Sequence, residues 1–359
     1  MIFAVYNYDW LEEFTKDILS VIKPTEDDQN KRLGATKEIE NLVDTLRGYS
    51  DFRDAAVRPF GSFVSNLYAK SADLDVSVQL SNDSSFPTSK NKKKKTLLIL
   101  GATLEKEGVA RDVRFILTAR VPVLQYVSNH YGISCDLSID NCPGRMKSRA
   151  LYWVSTIDDR FGDMVLLVKE WARAQKINDP KKGTLNSYTL CLLVISHFQD
   201  CTPAILPPIK HIFNASIAEG SGGGFNEKHF DQIWEENIAK FRRQLKKNIG
   251  QRNKKSLSHL LATFFEKFSA HYTVQLNQTK EMTKSSCQIV DDPFDRSDDA
   301  AIITVDVPGF QRIASAFTHV NRIIYRITVD VPGPDDRNEL FSLLSTPEVF
   351  FKTRRKIYG

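Results

Sequence analysis

Two aspartates separated by one residue, Asp73 and Asp75, open a segment in which apolar and polar residues alternate. Residues two apart in an extended strand share a face, so both carboxylates would point away from the apolar side. A second alternating segment, 131–140, places Asp136 in the same way. If the two strands are neighbours, these carboxylates converge and repel one another unless a cation lies among them. Hard oxygen ligands suit Mg²⁺, so the pattern predicts a two-metal site beside phosphate groups.

A glycine–serine pair, Gly61 and Ser62, comes shortly before these aspartates. A Gly-Ser turn that enters a helix presents backbone N–H groups and a hydroxyl to phosphate oxygens. Each motif alone has a simpler interpretation. An exposed sheet face explains the spacing of Asp73 and Asp75, and a plain turn explains the glycine although not the serine. The combination of the turn with Asp136 on a second strand favours phosphate chemistry.

A small sheet set among helices must position these residues. Residues 9–47 have a helical period with a start signal near Pro24, which predicts two helices. Alternation predicts strands at 57–60, 73–80, 113–117, 119–127 and 131–140, and helical periodicity predicts helices at about 96–107, 163–176, 186–199, 230–247 and 256–270. Residues 81–96 are predicted to form a polar loop. The expected fold class is α+β, with a small mixed β-sheet followed by a mainly helical part.

The composition is that of a globular protein of 359 residues with a formal net charge of +5, which is compatible with a polyanionic partner. The five cysteines are scattered without a CxxC pair, which indicates reduced thiols in an intracellular protein. The N-terminus lacks the basic region of a signal peptide, and no apolar run approaches the ~18–20 residues that span a bilayer. We expect a soluble protein. The heptapeptide ITVDVPG occurs at 303–309 and at 327–333, and its two copies predict no repeat architecture.

Several longer blocks resemble a known family. FGSFVSNLYAKSADLDVSV followed by ISCDLSIDN is similar to the nucleotidyltransferase superfamily of DNA polymerase beta type. With MVLLVKEWARAQKIND, GTLNSYTLCLLVISHFQ and PAILPP, the chain resembles the terminal RNA nucleotidyltransferases, in particular the plant uridylyltransferases that tail small-RNA 3′ ends. The resemblance implies a palm-like nucleotidyltransferase domain at 50–145, a helical poly(A)-polymerase-associated domain formed by 1–49 and 146–330, and a C-terminal extension at 331–359.

The resemblance also implies roles for residues at the family's positions. The catalytic, metal-binding carboxylates would be Asp73, Asp75 and Asp136, and the phosphate turn would be Gly61 and Ser62. The nucleotide would be bound at its sugar, its triphosphate and its base by Asn141, Lys169, Arg173, Ser187 and Tyr188. The segment VDDPFDRSDDAA resembles the base-recognition motif and implies roles for Asp292, Asp295 and Asp298. Uridine-adding members often have a histidine at the position of Asp298, so adenylate addition stays open as an alternative.

Each nucleotide-binding assignment has a structural alternative. Lys169 and Arg173 are four residues apart, a spacing that is also typical of a solvated helix face. Ser187 could be a first-turn capping residue, Tyr188 a core aromatic, and Asn141 only the start of a helix. Their joint occurrence at the family's spacing favours the nucleotide interpretation.

Clusters of basic residues predict binding to RNA phosphates, which does not depend on sequence. The RNA-binding residues predicted from these clusters are Lys92, Lys93, Lys94, Lys95, Arg242, Arg243, Lys246, Lys247, Arg252, Lys254 and Lys255. The alternatives are a solubilising surface or, for the lysine run, a localisation signal.

The sequence, with its resemblance, predicts a template-independent RNA 3′-terminal nucleotidyltransferase that adds UMP from UTP and uses two Mg²⁺ or Mn²⁺ ions. The expected partner is the single-stranded 3′ end of a small RNA or decay fragment, with an RNA-silencing effector as a further candidate partner. We expect a monomer without a membrane association, in the cytoplasm and also in the nucleus. Alternatives are a poly(A)-adding enzyme, a nucleotide-signal synthase of the oligoadenylate type and a non-catalytic RNA-binding scaffold.

Overall fold

The computed structural model describes residues 8–80, 88–209, 227–247, 252–279, 286–292, 294, 302–329 and 334–358. The elements of the first part are α1 (Asp9–Ile22), α2 (Glu26–Thr45), β1 (Ala56–Phe60), α3 (Gly61–Val64), β2 (Leu74–Gln79), α4 (Lys90–Lys106), β3 (Ala110–Ile116), β4 (Val123–Ser128), β5 (Ser134–Ile139) and α5 (Cys142–Ser155). The later elements are α6 (Arg160–Ala174), α7 (Ser187–Asp200), α8 (Glu227–Lys247), α9 (Leu257–Thr279), β6 (Ser286–Asp291), β7 (Ile302–Asp306), α10 (Val307–Val329), α11 (Pro334–Leu344) and α12 (Pro347–Tyr358).

Five strands form one mixed sheet in the order β1-β2-β5-β4-β3. Strands β2 and β5 are parallel, and the other pairs are antiparallel. Because a parallel pair needs a crossover connection, the chain passes through α4, β3 and β4 between β2 and β5. All five predicted strands are present with shifted ends, and the predicted α+β fold class is confirmed.

The apolar side of the sheet decides which face is left for the aspartates. Leu74, Val76 and Leu137 are fully buried, and Ile39 of α2 and Leu97 of α4 belong to the same core. Burying a side chain of this kind stabilises the fold by about 1.5–3 kcal/mol. A slip of one residue in register would expose this apolar set, so the core also fixes the positions of the polar residues between its members.

The chain divides into two compact units. The sheet unit comprises 24–157 and 212–240, and the helix-rich unit comprises 1–23, 158–211 and 241–359. Residues 24–49, which the sequence places in the helical domain, lie in the sheet unit because α2 packs on β1 and α4. The predicted division into functional domains stays a prediction.

Aromatic side chains form the centre of the helix-rich unit. Trp171 of α6 meets Phe265 of α9 and Phe317 of α10 edge-on, with ring centroids 4.9 and 4.6 Å apart. Tyr272 of α9 also packs against Phe317, and burial raises the pKa of its hydroxyl. Edge-to-face pairs add stability beyond the area they bury. One aromatic cluster therefore holds α6, α9 and α10 together.

Helix α4 begins at Lys90, whereas the sequence predicts a loop up to about residue 96. Ser89 caps the helix by accepting a hydrogen bond from the Lys92 N–H at 3.3 Å. The lysine run is therefore helical, and the loop prediction was wrong for it. Lysine is a good helix former, but a run of equal charges carries no apolar period from which a helix start could be recognised.

The two ITVDVPG copies adopt different structures. In the first copy, residues up to Asp306 belong to strand β7, and α10 begins at Val307. In the second copy, 327–329 are the last residues of α10, and 330–333 lie outside the described residues. Strand β7 pairs antiparallel with β6, a two-stranded sheet that the sequence did not predict. Packing context therefore overrides local propensity here.

Candidate active site

Asp75 and Asp136 lie side by side in the sheet unit, on β2 and β5. The parallel register pairs the two residues directly, and neighbouring strands are about 4.8 Å apart. Both side chains are half-buried. Asp73 immediately precedes Leu74, the first residue of β2. The structure therefore brings Asp75 and Asp136 together on one face, with Asp73 directly before the strand that carries Asp75.

The register row that contains these aspartates crosses the whole sheet. Phe60 pairs with Asp75, and Gln125 pairs with Asp136. The Gln125 amide nitrogen donates to both carboxylate oxygens of Asp136, at 2.9 and 3.0 Å. Gln125 pairs in turn with Arg114, which is exposed on the edge strand β3. Gln125 is absent from the residues predicted above, because its proximity to Asp136 depends on β4 lying beside β5, which alternation does not specify.

Gly61 allows a close approach between its backbone and Asp75. Its φ of +69° lies in the left-handed region, and a Cβ at this position would overlap the Asp75 carboxylate. The Gly61 N–H donates to Ser148 Oγ of α5 at 2.6 Å, and that hydroxyl donates to Gly144 O at 2.6 Å. The Gly61 N–H is therefore engaged within the protein. Phosphate binding by the turn of Gly61 and Ser62 stays a prediction.

Arg32 of α2 fixes the segment that leads to Asp73. It is 1% exposed, and its guanidinium donates to Lys70 O at 3.0 Å and to Ala72 O at 2.5 Å. The guanidinium also lies 4.7 Å from the ring centroid of Tyr68. Burial lowers the pKa of Arg32. The sequence predicts no role for this residue, because a single arginine on an amphipathic helix is most often solvated.

Asn141 caps helix α5, as the simpler interpretation of this residue predicts. Its Oδ1 accepts from the Gly144 N–H at 3.2 Å, and its own N–H donates to Ser77 Oγ at 3.0 Å. Ser77 and Ser138 are buried although both follow the aspartates on the polar face. The solvent-accessible part of the polar sheet face is therefore limited to the aspartates and the residues beside them. A sugar contact by Asn141 stays a prediction.

The carboxylate pair fits a hard cation but does not form a complete ligand set. Within the described ranges, no group of three or more His, Cys, Asp and Glu side chains is arranged to hold a metal ion. Asp75 and Asp136 provide adjacent oxygen donors, and Mg²⁺ usually completes its shell with water and substrate phosphates. Burial, to which the Asp136 charge adds, raises the pKa of Cys135 to about 12, so this thiol is neutral. The donors here are oxygens, as Mg²⁺ requires.

Lys169 and Arg173 lie on α6 in the helix-rich unit. Lys169 is 9% exposed, so a solvated helix face does not describe it. Arg173 is more exposed, and its Nη1 lies 3.9 Å from the Glu170 carboxylate. A buried lysine ammonium costs free energy unless anionic or hydrogen-bonding groups compensate for it. Triphosphate binding by Lys169 and Arg173 stays a prediction.

Tyr188 and Asp292, predicted separately as nucleotide-binding residues, contact each other. The Tyr188 hydroxyl donates to Asp292 Oδ1 at 2.7 Å, and the Phe294 N–H donates to the same oxygen at 3.0 Å. Tyr188 is half-buried and so is not a core aromatic, whereas Asp292 is 4% exposed. Ser187 is exposed and accepts from Asn178 Nδ2 at 3.3 Å. Asp295 and Asp298 lie outside the described residues.

The lysine run of α4 is partly engaged within the sheet unit. Lys92 Nζ lies 2.9 Å from the Asp51 carboxylate, and Lys93 Nζ donates to Asp140 O at 3.1 Å. Lys94 is half-buried and Lys95 is exposed. The run therefore provides fewer solvent-facing charges than its composition suggests, and RNA binding by it stays a prediction.

The second basic cluster begins on α8. Arg242 and Arg243 are exposed on that helix, as are Arg252 and Lys254 after it, and Lys255 is half-buried. The side chains of Lys246 and Lys247 lie outside the described residues. RNA binding by this cluster also stays a prediction. In the part of the chain that the structure describes, no helix combines the length and apolarity that crossing a membrane would need.

The chain is similar in sequence to poly(A) RNA polymerases and to Protein HESO1. Residues 11–156 match the family model of the central palm domain of poly(A) RNA polymerases of mitochondrial type. Protein HESO1 of Arabidopsis thaliana is 42% identical over 331 residues, which are 87% of this chain and 63% of that protein. The mitochondrial poly(A) RNA polymerase of Homo sapiens is 26% identical over 313 residues, which are 80% of this chain and 51% of that protein.

The fold is shared with a solved structure, that of the Cid1 poly(U) polymerase bound to MgATP. The TM-score is 0.65 at 21% identity, and the match covers 95% of this chain and 100% of that chain. This likeness concerns the fold. The chain spans less than two thirds of the length of HESO1 and about half of the human mitochondrial polymerase.

Proposed function

We propose that the chain is a nucleotidyltransferase of the DNA polymerase beta-like type and that it adds uridylate to RNA 3′ ends without a template. Its similarity to the palm domain of poly(A) RNA polymerases and to HESO1 supports this proposal. The observation that carries the proposal is the direct pairing of Asp75 with Asp136 on one sheet face, against the Gly61 turn. An exposed sheet face has no need for two adjacent carboxylates, which repel each other in the absence of a cation.

The reaction joins the terminal 3′ oxygen of the RNA to the α-phosphorus of UTP and releases pyrophosphate. Asp136 accepts the hydroxyl proton, and Asp73, Asp75 and Asp136 would hold two Mg²⁺ ions near the triphosphate. The ions would neutralise phosphate charge and favour ionisation of the attacking hydroxyl. The rest of the catalysis is positioning and charge stabilisation. The rigid strand register supports this role, because it holds Asp75 and Asp136 without depending on a mobile loop.

Nucleotide recognition rests on Tyr188 and its hydrogen bond to Asp292. The bond fixes the orientation of the phenol ring, and an aromatic ring held in this way can stack on a base. Lys169 and Arg173 on α6, with Ser187, supply charge and a hydroxyl for the triphosphate. Lys169 and Arg173 are four residues apart on α6, so they lie on one face of that helix.

Uridylate is preferred over adenylate in this proposal because the sequence blocks quoted above resemble those of plant uridylyltransferases. The plant protein HESO1 is also more similar to this chain, at 42% identity, than the human mitochondrial poly(A) RNA polymerase, at 26%. The second candidate function is adenylate addition, which the similarity to the mitochondrial poly(A) RNA polymerase favours. The residue that bears on this choice, Asp298, lies outside the described residues.

A nucleotide competition assay tests both functions. Single-stranded RNA with a labelled 5′ end is incubated with Mg²⁺ and each of the four nucleoside triphosphates, separately and in equimolar mixture. Extension with UTP, and a mixture product rich in uridine, is the expected result. An adenosine-rich product would select the second function. The matched control is the same RNA with a 3′-deoxy end, which lacks the attacking hydroxyl and must not be extended. No extension with any triphosphate would overturn the proposal.

A further inference from the structure

Gln125 occupies the centre of β4, on the face that carries the aspartates. Its neighbours on the strand, Leu124 and Tyr126, point to the core and are buried, whereas Gln125 is half-buried. Glutamine is not a residue that strands favour. The two residues at matching positions on the same face, Val123 and Val127, are both β-branched. The packing of the sheet therefore does not account for an amide at this position.

The hydrogen bonds of Gln125 explain why an amide is present at this position. One amide nitrogen donates to both oxygens of Asp136, at 2.9 and 3.0 Å, and the backbone pairing of Gln125 with Asp136 places the two side chains opposite each other. A donor shared by both oxygens restricts rotation of the carboxylate about its χ angles. Hydrogen bonds to ionised groups are also stronger than those between neutral groups. Asp136 is thus held in one orientation beside Asp75.

The neutrality of the amide matters as much as its position. An arginine or lysine at this place would orient Asp136 equally well, but its positive charge would oppose a cation at the same carboxylate. A carboxylate would repel Asp136. An amide restricts the orientation of Asp136 and leaves its negative charge in place. Among the side chains that could reach from β4, an amide combines these two properties.

We propose that Gln125 is a positioning residue that orients Asp136 for the transfer reaction. The inference rests on the proposed function, because it assigns to Asp136 the 3′ hydroxyl and a share of the metal ions. Gln125 acts through Asp136 and is not itself required to contact the RNA or the nucleotide. Its loss lowers the rate of the chemical step and weakens cation binding, whereas UTP and RNA binding change little.

The test compares Gln125→Met, which removes the donor at similar size, with Gln125→Glu, which replaces it by a like charge. The matched control is Gln199→Met. Gln199 is also half-buried, and it donates to a backbone carbonyl, Pro207 O, at 2.9 Å. For each full-length protein the measurements are kcat and KM for UTP, the melting temperature, and Mn²⁺ binding in the absence of substrate, followed by electron paramagnetic resonance.

We expect kcat to fall about 10-fold in Gln125→Met and further in Gln125→Glu, in line with the loss of a hydrogen bond to a charged group. The KM for UTP should stay within about twofold of wild type, and the Mn²⁺ dissociation constant should rise in both variants. Gln199→Met should leave all three values unchanged. If a Gln125 variant melts well below wild type, the comparison is made below its transition, where both proteins are folded.

Two results would overturn the inference. One is a Gln125→Met protein with wild-type kcat and Mn²⁺ binding. The other is a fall in kcat that follows the melting temperature and is equal in Gln199→Met, which would indicate a structural role only. Failure of the proposed function is distinguishable from failure of this inference. In that case the wild-type protein would extend no RNA, while its Mn²⁺ binding could still depend on Gln125.

Discussion

The carboxylates that we propose act in the reaction are held differently in the two units. In the sheet unit, Asp75 and Asp136 are half-buried neighbours, and a neutral amide orients one of them. In the helix-rich unit, Asp292 is 4% exposed and its Oδ1 accepts from the Tyr188 hydroxyl and the Phe294 N–H. The first arrangement keeps negative charge available to a cation, and the second uses an oxygen to fix an aromatic ring. We therefore expect the sheet carboxylates to govern the rate of transfer and the Tyr188–Asp292 pair to govern nucleotide binding.

The largest effect is expected for Asp136→Asn, which removes the charge at nearly constant size. The kcat should fall at least about 1000-fold, because the variant loses both a proton acceptor and a cation ligand. The melting temperature should stay the same or rise, since one of two adjacent like charges is gone. Single-turnover extension of a labelled RNA and a thermal melt measure the two quantities.

Asp54→Asn is the matched control for this change, because Asp54 is an exposed aspartate of the same unit. It should keep wild-type kcat. If Asp136→Asn retained more than about a tenth of the wild-type kcat, the sheet carboxylates would not control the rate, and the contrast with Asp292 would be lost.

Arg32→Met should produce the next largest effect, on the stability of the sheet unit. The variant leaves the carbonyls of Lys70 and Ala72 without the donor they have now, and each buried acceptor without a partner costs about 1–3 kcal/mol. We expect the free energy of unfolding to fall by about 3 kcal/mol, and kcat to fall because the segment before Asp73 is released. Denaturant unfolding and steady-state kinetics measure these changes.

Arg47→Met is the control for Arg32→Met. Arg47 lies just after α2, donates to Arg53 O at 2.9 Å and contacts Asp44, but it is exposed. Its loss should cost less than about 1 kcal/mol. If the two variants lost the same free energy of unfolding, burial of the Arg32 guanidinium would add nothing to the stability of the fold.

The sequence predicts the placement of Asp75 and Asp136 on one sheet face better than it predicts the contacts that hold these residues in place. Alternation predicts that Asp75 and Asp136 face away from the core, since each strand buries its apolar side. Gln125 and Arg32 could not be predicted in the same way. Their partners, Asp136 and the 70–72 carbonyls, are brought close by strand order and loop path, which depend on contacts distant in sequence.

Local patterns also fail where packing outweighs them. The residues ITV form part of strand β7 in one copy of ITVDVPG and the last turn of α10 in the other. The first copy has β6 as a pairing partner, and there Asp306 accepts from the Gly309 N–H at 2.7 Å, which favours a helix start. In the second copy Ile327 is buried as part of a long helix. An identical sequence therefore cannot indicate which structure forms.

Tyr188→Phe should have a smaller effect than the substitutions above, and it should change the KM for UTP and not kcat. The variant keeps the ring but loses the hydrogen bond to Asp292, so the ring is less well oriented. We expect the KM for UTP to rise about 5- to 10-fold with kcat within about twofold of wild type, and Asp292→Asn to behave similarly. Steady-state kinetics with UTP and with ATP measure this. A loss of kcat as large as that of Asp136→Asn would contradict the division of roles between the two units.

The smallest effects are expected in the lysine run of α4, which is assigned neither to catalysis nor to nucleotide binding. Lys92 is paired with Asp51 at 2.9 Å, whereas Lys95 is exposed. If this run binds RNA phosphates, Lys95→Ala should weaken RNA binding about two- to threefold and reduce the salt dependence of log Kd by about 0.7, the value for one phosphate contact in a single strand. Lys92→Ala should change both values less, because Asp51 already compensates part of its charge.

Fluorescence anisotropy over a series of salt concentrations measures the difference, with kcat and the KM for UTP unchanged in both variants. Identical salt dependences for wild type and both variants would exclude the run from RNA binding and leave that role to the basic residues of 242–255.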